Sequence, residues 1–257
     1  MSVLVCLMLI LFLLMKLIGG EKGTRSFTAL LLNAFVLFIL VFLMTIQTIN
    51  PIFITLIASI VISCINLFYI NQFNIKSVTA FLGTLITLLF LIVLIFMIVD
   101  RSMMQGFGME EIEELSSFTL YIGVDFIKIT ICTIIMGAIG AITDTAISIS
   151  SAMNELYTRN PLLNRNNLFK SGMTVGRDIL GTTTNTLFFA FIGGYLALVL
   201  WFKDLAYTLG EVINSKIFSS ELISIFCIGL GAILIIPITA WLAAYLLTNC
   251  NDKSISK

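Results

Sequence analysis

The sequence predicts an all-α, polytopic membrane bundle of about seven transmembrane helices, and three observations carry that prediction. Of the 257 residues, 59% are hydrophobic and 11% charged, with a mean hydropathy of +1.11, a composition that lipid solvates and water does not. The apolar residues fall into long runs, each near the roughly 20 residues that a helix needs to cross about 30 Å of hydrocarbon. Those runs are apolar on both alternating faces, whereas strands of a membrane barrel show short segments of alternating hydropathy.

The runs place spans at residues 2–18, 28–48, 51–70, 78–99, 119–142, 178–201 and 222–247 of one transmembrane domain, residues 1–257. The first run is read as a retained span rather than a signal peptide, because Met1 to Cys6 carries no basic side chain and no small-residue cleavage pattern follows. The loop Gly19 to Arg25 is a tight basic turn that anchors two neighbouring helices. Asn50-Pro51 starts a turn with proline at a first helical position, which makes spans two and three a helical hairpin. The loop from Asp100 to Ser117 ends in Glu110, Glu111, Glu113 and Glu114 and is expected to be a solvated outer segment.

Span five opens with Asp125 and Lys128, spaced i, i+3 on one helix face. A self-neutralising pair with the lysine stem snorkelling outward is the expectation, a role in transport the alternative. In span seven, Gly229, Gly231 and Pro237 predict a kink or hinge.

Lysine and arginine set the orientation. With the N-terminus outside, the inner side holds Lys16, Lys22, Arg25, Lys76, Arg159, Arg165, Lys170, Arg177, Lys253 and Lys257, and the outer side Arg101, Lys203 and Lys216. That bias predicts an N-out, C-in chain. The cysteines at 6, 64, 132, 227 and 250 have no paired short spacing, so neither a disulfide framework nor a metal site is expected. Histidine is absent, so proton chemistry falls to carboxylates. No cofactor, nucleic-acid partner or enzymatic activity is expected, since no phosphate loop, nucleotide fingerprint or catalytic triad is visible.

The chemistry concentrates between Gly137 and Gly194. Gly137 and Gly140 bare the backbone for close helix contact or a local break. Asp144, Ser148, Ser151 and Glu155 then lie at offsets of four, seven and eleven and line one helical face, with Ala146, Ile149, Met153 and Leu156 opposite. The segment 144–157 therefore reads as an amphipathic helix at the inner interface, between spans five and six. After Asn160-Pro161 and a basic patch of Arg165, Lys170 and Arg177 suited to lipid headgroups, span six begins at Asp178. Thr182 and Asn185 repeat the offsets of four and seven, beside Thr183, Thr184 and Thr186. Facing stripes would make a polar crevice that binds a proton or cation. Each acid also has a plain structural reading: Asp144 and Asp178 as helix caps, Glu155 as the partner of Arg159.

The strings Gly137-Ala138-Ile139-Gly140-Ala141-Ile142-Thr143-Asp144, Gly172-Met173-Thr174-Val175-Gly176-Arg177-Asp178 and Gly181-Thr182-Thr183-Thr184-Asn185-Thr186-Leu187 resemble the YibE/F family of bacterial multi-pass membrane proteins. The similarity extends over almost the whole chain, with the Gly19 to Gly23 loop and Asn50-Pro51 included. The short length looks like the smaller, F-type member of a pair, which implies a bacterial cell membrane and a larger YibE-like membrane subunit as partner, with a homo-oligomer as the alternative. A fainter likeness links Asp144-Thr145 and the threonine-rich span to the membrane part of SecF and the wider resistance-nodulation-division permeases, whose long periplasmic domains are absent here.

Two functions compete. In one, the chain is a permease or channel subunit in which Asp144 and Asp178 bind a proton or cation that Thr182 and Asn185 coordinate or relay, with Ser148, Ser151 and Glu155 along the stripe. In the other it is a non-transporting scaffold, Gly137, Gly140, Gly176, Gly181 and Pro237 serving packing or hinge motion. An intramembrane aspartyl protease fits poorly, since the Gly-x-Gly-Asp pattern is missing: Asp178 follows Val175-Gly176-Arg177.

Overall fold

In the computed structural model, which describes residues 3–46, 48–104, 106 and 125–255, every regular element is a helix. The elements are α1 (Val3–Met44), α2 (Pro51–Cys64, continued by a π-helical turn over Ile65–Tyr69), α3 (Ile75–Ser102), α4 (Phe126–Arg159), α5 (Arg165–Gly194), α6 (Leu196–Asp204), α7 (Leu209–Asn214) and α8 (Lys216–Ile255). Among the described residues, five helices are long and apolar enough to cross a membrane, or six if the pair α5 and α6, bent by 47°, counts as one span. The acidic run Glu110 to Glu114 and positions 119–124 of the fifth expected span lie outside the described residues.

The first two expected spans form a single element, α1, broken at Gly20 (φ 56°, ψ −132°), a left-handed backbone that glycine adopts without steric cost. The break folds the helix back on itself. Phe12 and Phe27, which a straight helix would hold about 22 Å apart, have ring centroids 5.0 Å apart. Gly23 lies so close to the Met15 carbonyl that a Cβ there would collide with it. The second half then reaches across to α2: Thr28 Oγ1 and Tyr69 Oη lie 2.9 Å apart, and Asn33 Nδ2 donates to Asn66 Oδ1 at 2.7 Å.

The hairpin expected at Asn50-Pro51 is present, with Asn50 Oδ1 accepting from the Ile52 N–H at 3.1 Å and Pro51 opening the helix. Asp125 and Lys128 pair as read, at 3.1 Å. Asp125 has a further role that its spacing did not suggest, capping α4 by accepting from the N–H groups of Ile127 and Lys128.

The centre of the bundle is α3, α4 and α8, each packed on the other two, with α2 against α4 and α5 against α8. Their shared core holds Leu91, Ile95, Ile131, Ile135, Ile142 and Ile235, all at most 1% exposed. A second core joins the C-terminal half of α4 to the start of α5 and the end of α8 through Ile149, Met153, Leu168, Ala240 and Ala243. The expected separate interfacial helix is not confirmed. Residues 144–157 continue α4 without a break, and Ala146, Ile149 and Met153 are covered by protein. Hydropathy dips there because one face is polar, but α5 and α8 supply the apolar surface that lipid was expected to supply. At about 1.5 Å per residue α4 is about 51 Å long, more than the roughly 30 Å of hydrocarbon, so an end must emerge from it.

α5 likewise begins at Arg165 rather than at Asp178. Small residues let it lie close to its neighbours: a Cβ on Gly172 would strike Met153 Sδ and sit 3.0 Å from Ala240 Cβ, and one on Gly176 would strike Ile236. Pro237 sits inside α8, which runs as one helix from Lys216 to Ile255.

Candidate functional site

α4 and α5 leave an open-sided cavity of about 420 Å³ between them. From α4 it is lined by Gly137, Gly140, Ala141, Asp144, Thr145 and Ser148, and from α5 by Ile179, Thr182, Thr183, Thr186 and Leu187. The volume suffices for several waters or a partly hydrated ion. At Met153 the helices close on each other over Gly172, and the cavity does not extend to Ser151 or Glu155.

The Asp144 carboxylate makes no ion pair and accepts no hydrogen bond among the described residues, while its backbone carbonyl accepts from Ser148 Oγ at 2.7 Å. Thr182 Oγ1 donates to the Ile179 carbonyl at 2.8 Å and Thr186 Oγ1 to the Thr182 carbonyl at 2.9 Å. Each of these three hydroxyls has its hydrogen engaged by the helix backbone, so what remains for the cavity is oxygen lone pairs. One carboxylate and these acceptor oxygens favour a cation or a proton donor over an anion, while the Thr145 and Thr183 hydroxyls on the same lining have no acceptor among the described residues and keep hydrogens to donate.

The α4 stripe read from sequence is therefore half in place: Asp144 and Ser148 line the cavity, Ser151 lies below it, and Glu155 pairs with Arg159 at 2.7 Å on an exposed surface. The α5 stripe is turned. The residues that line the cavity fall at 179, 182, 183, 186 and 187, whereas the expected stripe ran through 178, 182 and 185. The difference is about one residue, or about 100° of helix rotation. Asp178 and Asn185 are exposed and outside the cavity, and Thr183 and Ile179 take their places. Neither Asp144 nor Asp178 caps a helix, since both sit inside one; Asn164 is the N-cap of α5.

The glycines divide by role. Gly137 and Gly176 pack against Ile228 and Ile236 of α8, whereas a Cβ on Gly140 or Gly181 would meet nothing within 4 Å. Thr145, 2% exposed, also lines the cavity and was missed; its place beside Asp144 was the signal that could have found it.

In the basic patch, the Arg165 guanidinium lies 4.6 Å from the Tyr245 ring centroid and 5.7 Å from that of Trp241, and the two rings stack on each other at 5.9 Å. Lys170 and Arg177 are exposed. Among the described residues no three His, Cys, Asp or Glu side chains cluster as metal ligands do.

The family model described as YibE/F-like protein matches residues 7–249. The chain belongs to the YibE/F family. Comparison with curated proteins and with solved structures returns no match. The family match spans both walls of the cavity, and membership is consistent with a multi-pass protein of a bacterial membrane.

Proposed function

We propose that this YibE/F protein is a permease or channel subunit of a bacterial membrane complex, in which Asp144 binds a proton or small cation inside the cavity between α4 and α5. The observation that carries the reading is the unpaired Asp144 carboxylate on a cavity wall within a membrane bundle. A carboxylate in that setting is costly and marks an ion or proton pathway. The acceptor oxygens of Ser148, Thr182 and Thr186 favour a cation over an anion as its companion. Gly140 leaves α4 without a side chain on the same wall, so α5 has room to approach when the charge is neutralised. Two helix arrangements, biased by the protonation or occupancy of Asp144, would then couple the ion to movement.

In this reading the chain crosses the membrane seven times. The two arms of α1 count separately about Gly20, α5 and α6 together form the sixth span, and the N-terminus lies outside with the C-terminus in the cytoplasm. In proteoliposomes, Asp144→Asn should abolish gradient-driven cation or proton flux while leaving assembly intact, and Asp178→Asn and Asn185→Ala should change it less than about twofold. Flux unchanged by Asp144→Asn would overturn the assignment.

A second reading, a non-transporting scaffold subunit, draws on a different observation. Asp178, Thr184 and Asn185 are exposed along α5, where polar side chains in a span call for a covering helix. A larger YibE-like subunit would supply that helix, or else a second copy of this chain. Loss of a co-purifying subunit in Asp178→Leu/Asn185→Leu, with no flux from the wild-type complex, would favour this reading.

A further inference from the structure

Far along the chain from Asp144, two turns meet around a second cavity of about 320 Å³. One is the basic turn after Gly20, which contributes Glu21, Lys22 and Arg25; the other, between α2 and α3, contributes Asn71, Gln72 and Lys76. Three cations thus face one acid across a shared space, and Arg25 and Lys76 are half-buried there. Among the described residues none of the three makes an ion pair. Bringing three like charges together against a single acid is unfavourable.

The turns are also held in place. The contacts of Thr28 with Tyr69 and of Asn33 with Asn66 tie the second arm of α1 to the end of α2. Asn71 Nδ2 donates to the Asn66 carbonyl at 3.1 Å, and Asn74 Nδ2 to the Asn71 carbonyl at 2.8 Å. The second turn is therefore fixed by its own side chains before any ligand arrives. Within a few residues of the cations in sequence, the chain exposes large apolar side chains: Leu17 is 79%, Ile18 86% and Phe73 80% exposed.

The geometry points to a binding site for a phosphate group formed by Lys22, Arg25 and Lys76. The neighbouring Leu17, Ile18 and Phe73 favour a phosphate carried by an anionic phospholipid, whose acyl chains would lie on those side chains. This is the arrangement by which basic pockets between membrane helices hold lipid headgroups. It is separate from the Asp144 cavity and does not rest on the transport reading.

The test uses the whole chain in phosphatidylcholine nanodiscs with and without phosphatidylglycerol, and native mass spectrometry of the lipid retained on release. At about fivefold per basic residue near a headgroup, Lys22→Gln/Arg25→Gln/Lys76→Gln should retain phosphatidylglycerol roughly a hundredfold less than wild type. Glu21→Gln, which removes the opposing charge, should retain more. Inorganic phosphate titrated into phosphatidylcholine-only discs separates the sources. Retention of phosphatidylglycerol without phosphate binding assigns a lipid headgroup, and phosphate binding lost in the triple variant assigns a soluble phosphate at the same residues. Equal retention and equal phosphate binding in wild type and a folded triple variant would overturn the site. Should the triple variant fail to fold, unchanged retention by Glu21→Gln would overturn it as well.

Discussion

Replacing Gly176 by alanine tests how α5 is seated against α8. The new Cβ would strike Ile236 Cγ2 and lie 3.3 Å from Ile236 Cβ and Cγ1. Ile236 is 4% exposed and β-branched, so its χ1 has one strongly preferred setting in a helix and little freedom to yield. Overpacking of this kind costs about 1–3 kcal/mol, against which alanine recovers up to about 1 kcal/mol of helix propensity. The net expectation is a loss of about 1–2 kcal/mol. The same substitution at Gly140, where a Cβ meets nothing within 4 Å, should be neutral or stabilising by up to about 1 kcal/mol. Reversible unfolding in mixed micelles measures both. In a double-mutant cycle, Gly176→Ala with Ile236→Ala should cost less than the sum of the single changes by about 1–2 kcal/mol, because the second change removes the atoms that the first one strikes. Gly176→Ala as stable as wild type, or Gly140→Ala the worse of the two, would refute the packing argument.

Other outcomes follow from the same geometry. Cysteines introduced at Phe12 and Phe27 should be bridged in membranes by a short bifunctional thiol reagent, since the native rings lie 5.0 Å apart; no bridging by any short reagent would mean that α1 does not fold back at Gly20. Asp125→Asn should keep the α4 cap and lose only an exposed ion pair of at most about 1 kcal/mol, whereas Asp125→Ala should lose the cap too, about 1 kcal/mol more; equal effects on unfolding would deny the cap. At α7, the Thr208 backbone N–H and hydroxyl donate to Glu211 at 2.7 and 2.8 Å and hold its carboxyl below the ordinary glutamate value. Because the folded pKa is depressed, the stabilisation is present above the ordinary glutamate pKa and lost as pH falls through the folded value. Amide protection of residues 209–214, corrected for intrinsic exchange, should fall over that acidic range, and the fall should be absent in Glu211→Gln.

What the sequence made legible was local. Apolar runs located the long helices, and short-range chemistry identified Asn50-Pro51, the Asp125 pair with Lys128 and the Glu155 pair with Arg159, since each involves residues within one turn. The misreadings arose where a neighbour decides. Residues 144–157 looked interfacial because sequence reports an amphipathic face without saying what covers it, and the cover is α5 and α8. Of the α4 wall, Asp144 and Ser148 were legible because they share one helical face, while Thr145, one residue off that face, was not. The α5 wall was misoriented by about 100° because Thr182, Thr183, Thr184 and Thr186 spread hydroxyls around most of the helix, and periodicity then cannot choose a face. Gly140 and Gly176 read alike in sequence, yet one faces open space and the other Ile236. The meeting of Lys22, Arg25 and Lys76 needed the packing of the second arm of α1 against the end of α2, which no local pattern encodes.

The most direct test of the central claim is the rate at which a hydrophobic carbodiimide, which attacks protonated carboxyls within membranes, modifies Asp144 in the purified protein. If Asp144 holds a proton or cation in the cavity, its peptide should carry the label, and labelling should slow as pH rises or as a bound monovalent cation is added. A rate at Asp144 indifferent to pH and to every cation tried would contradict the account.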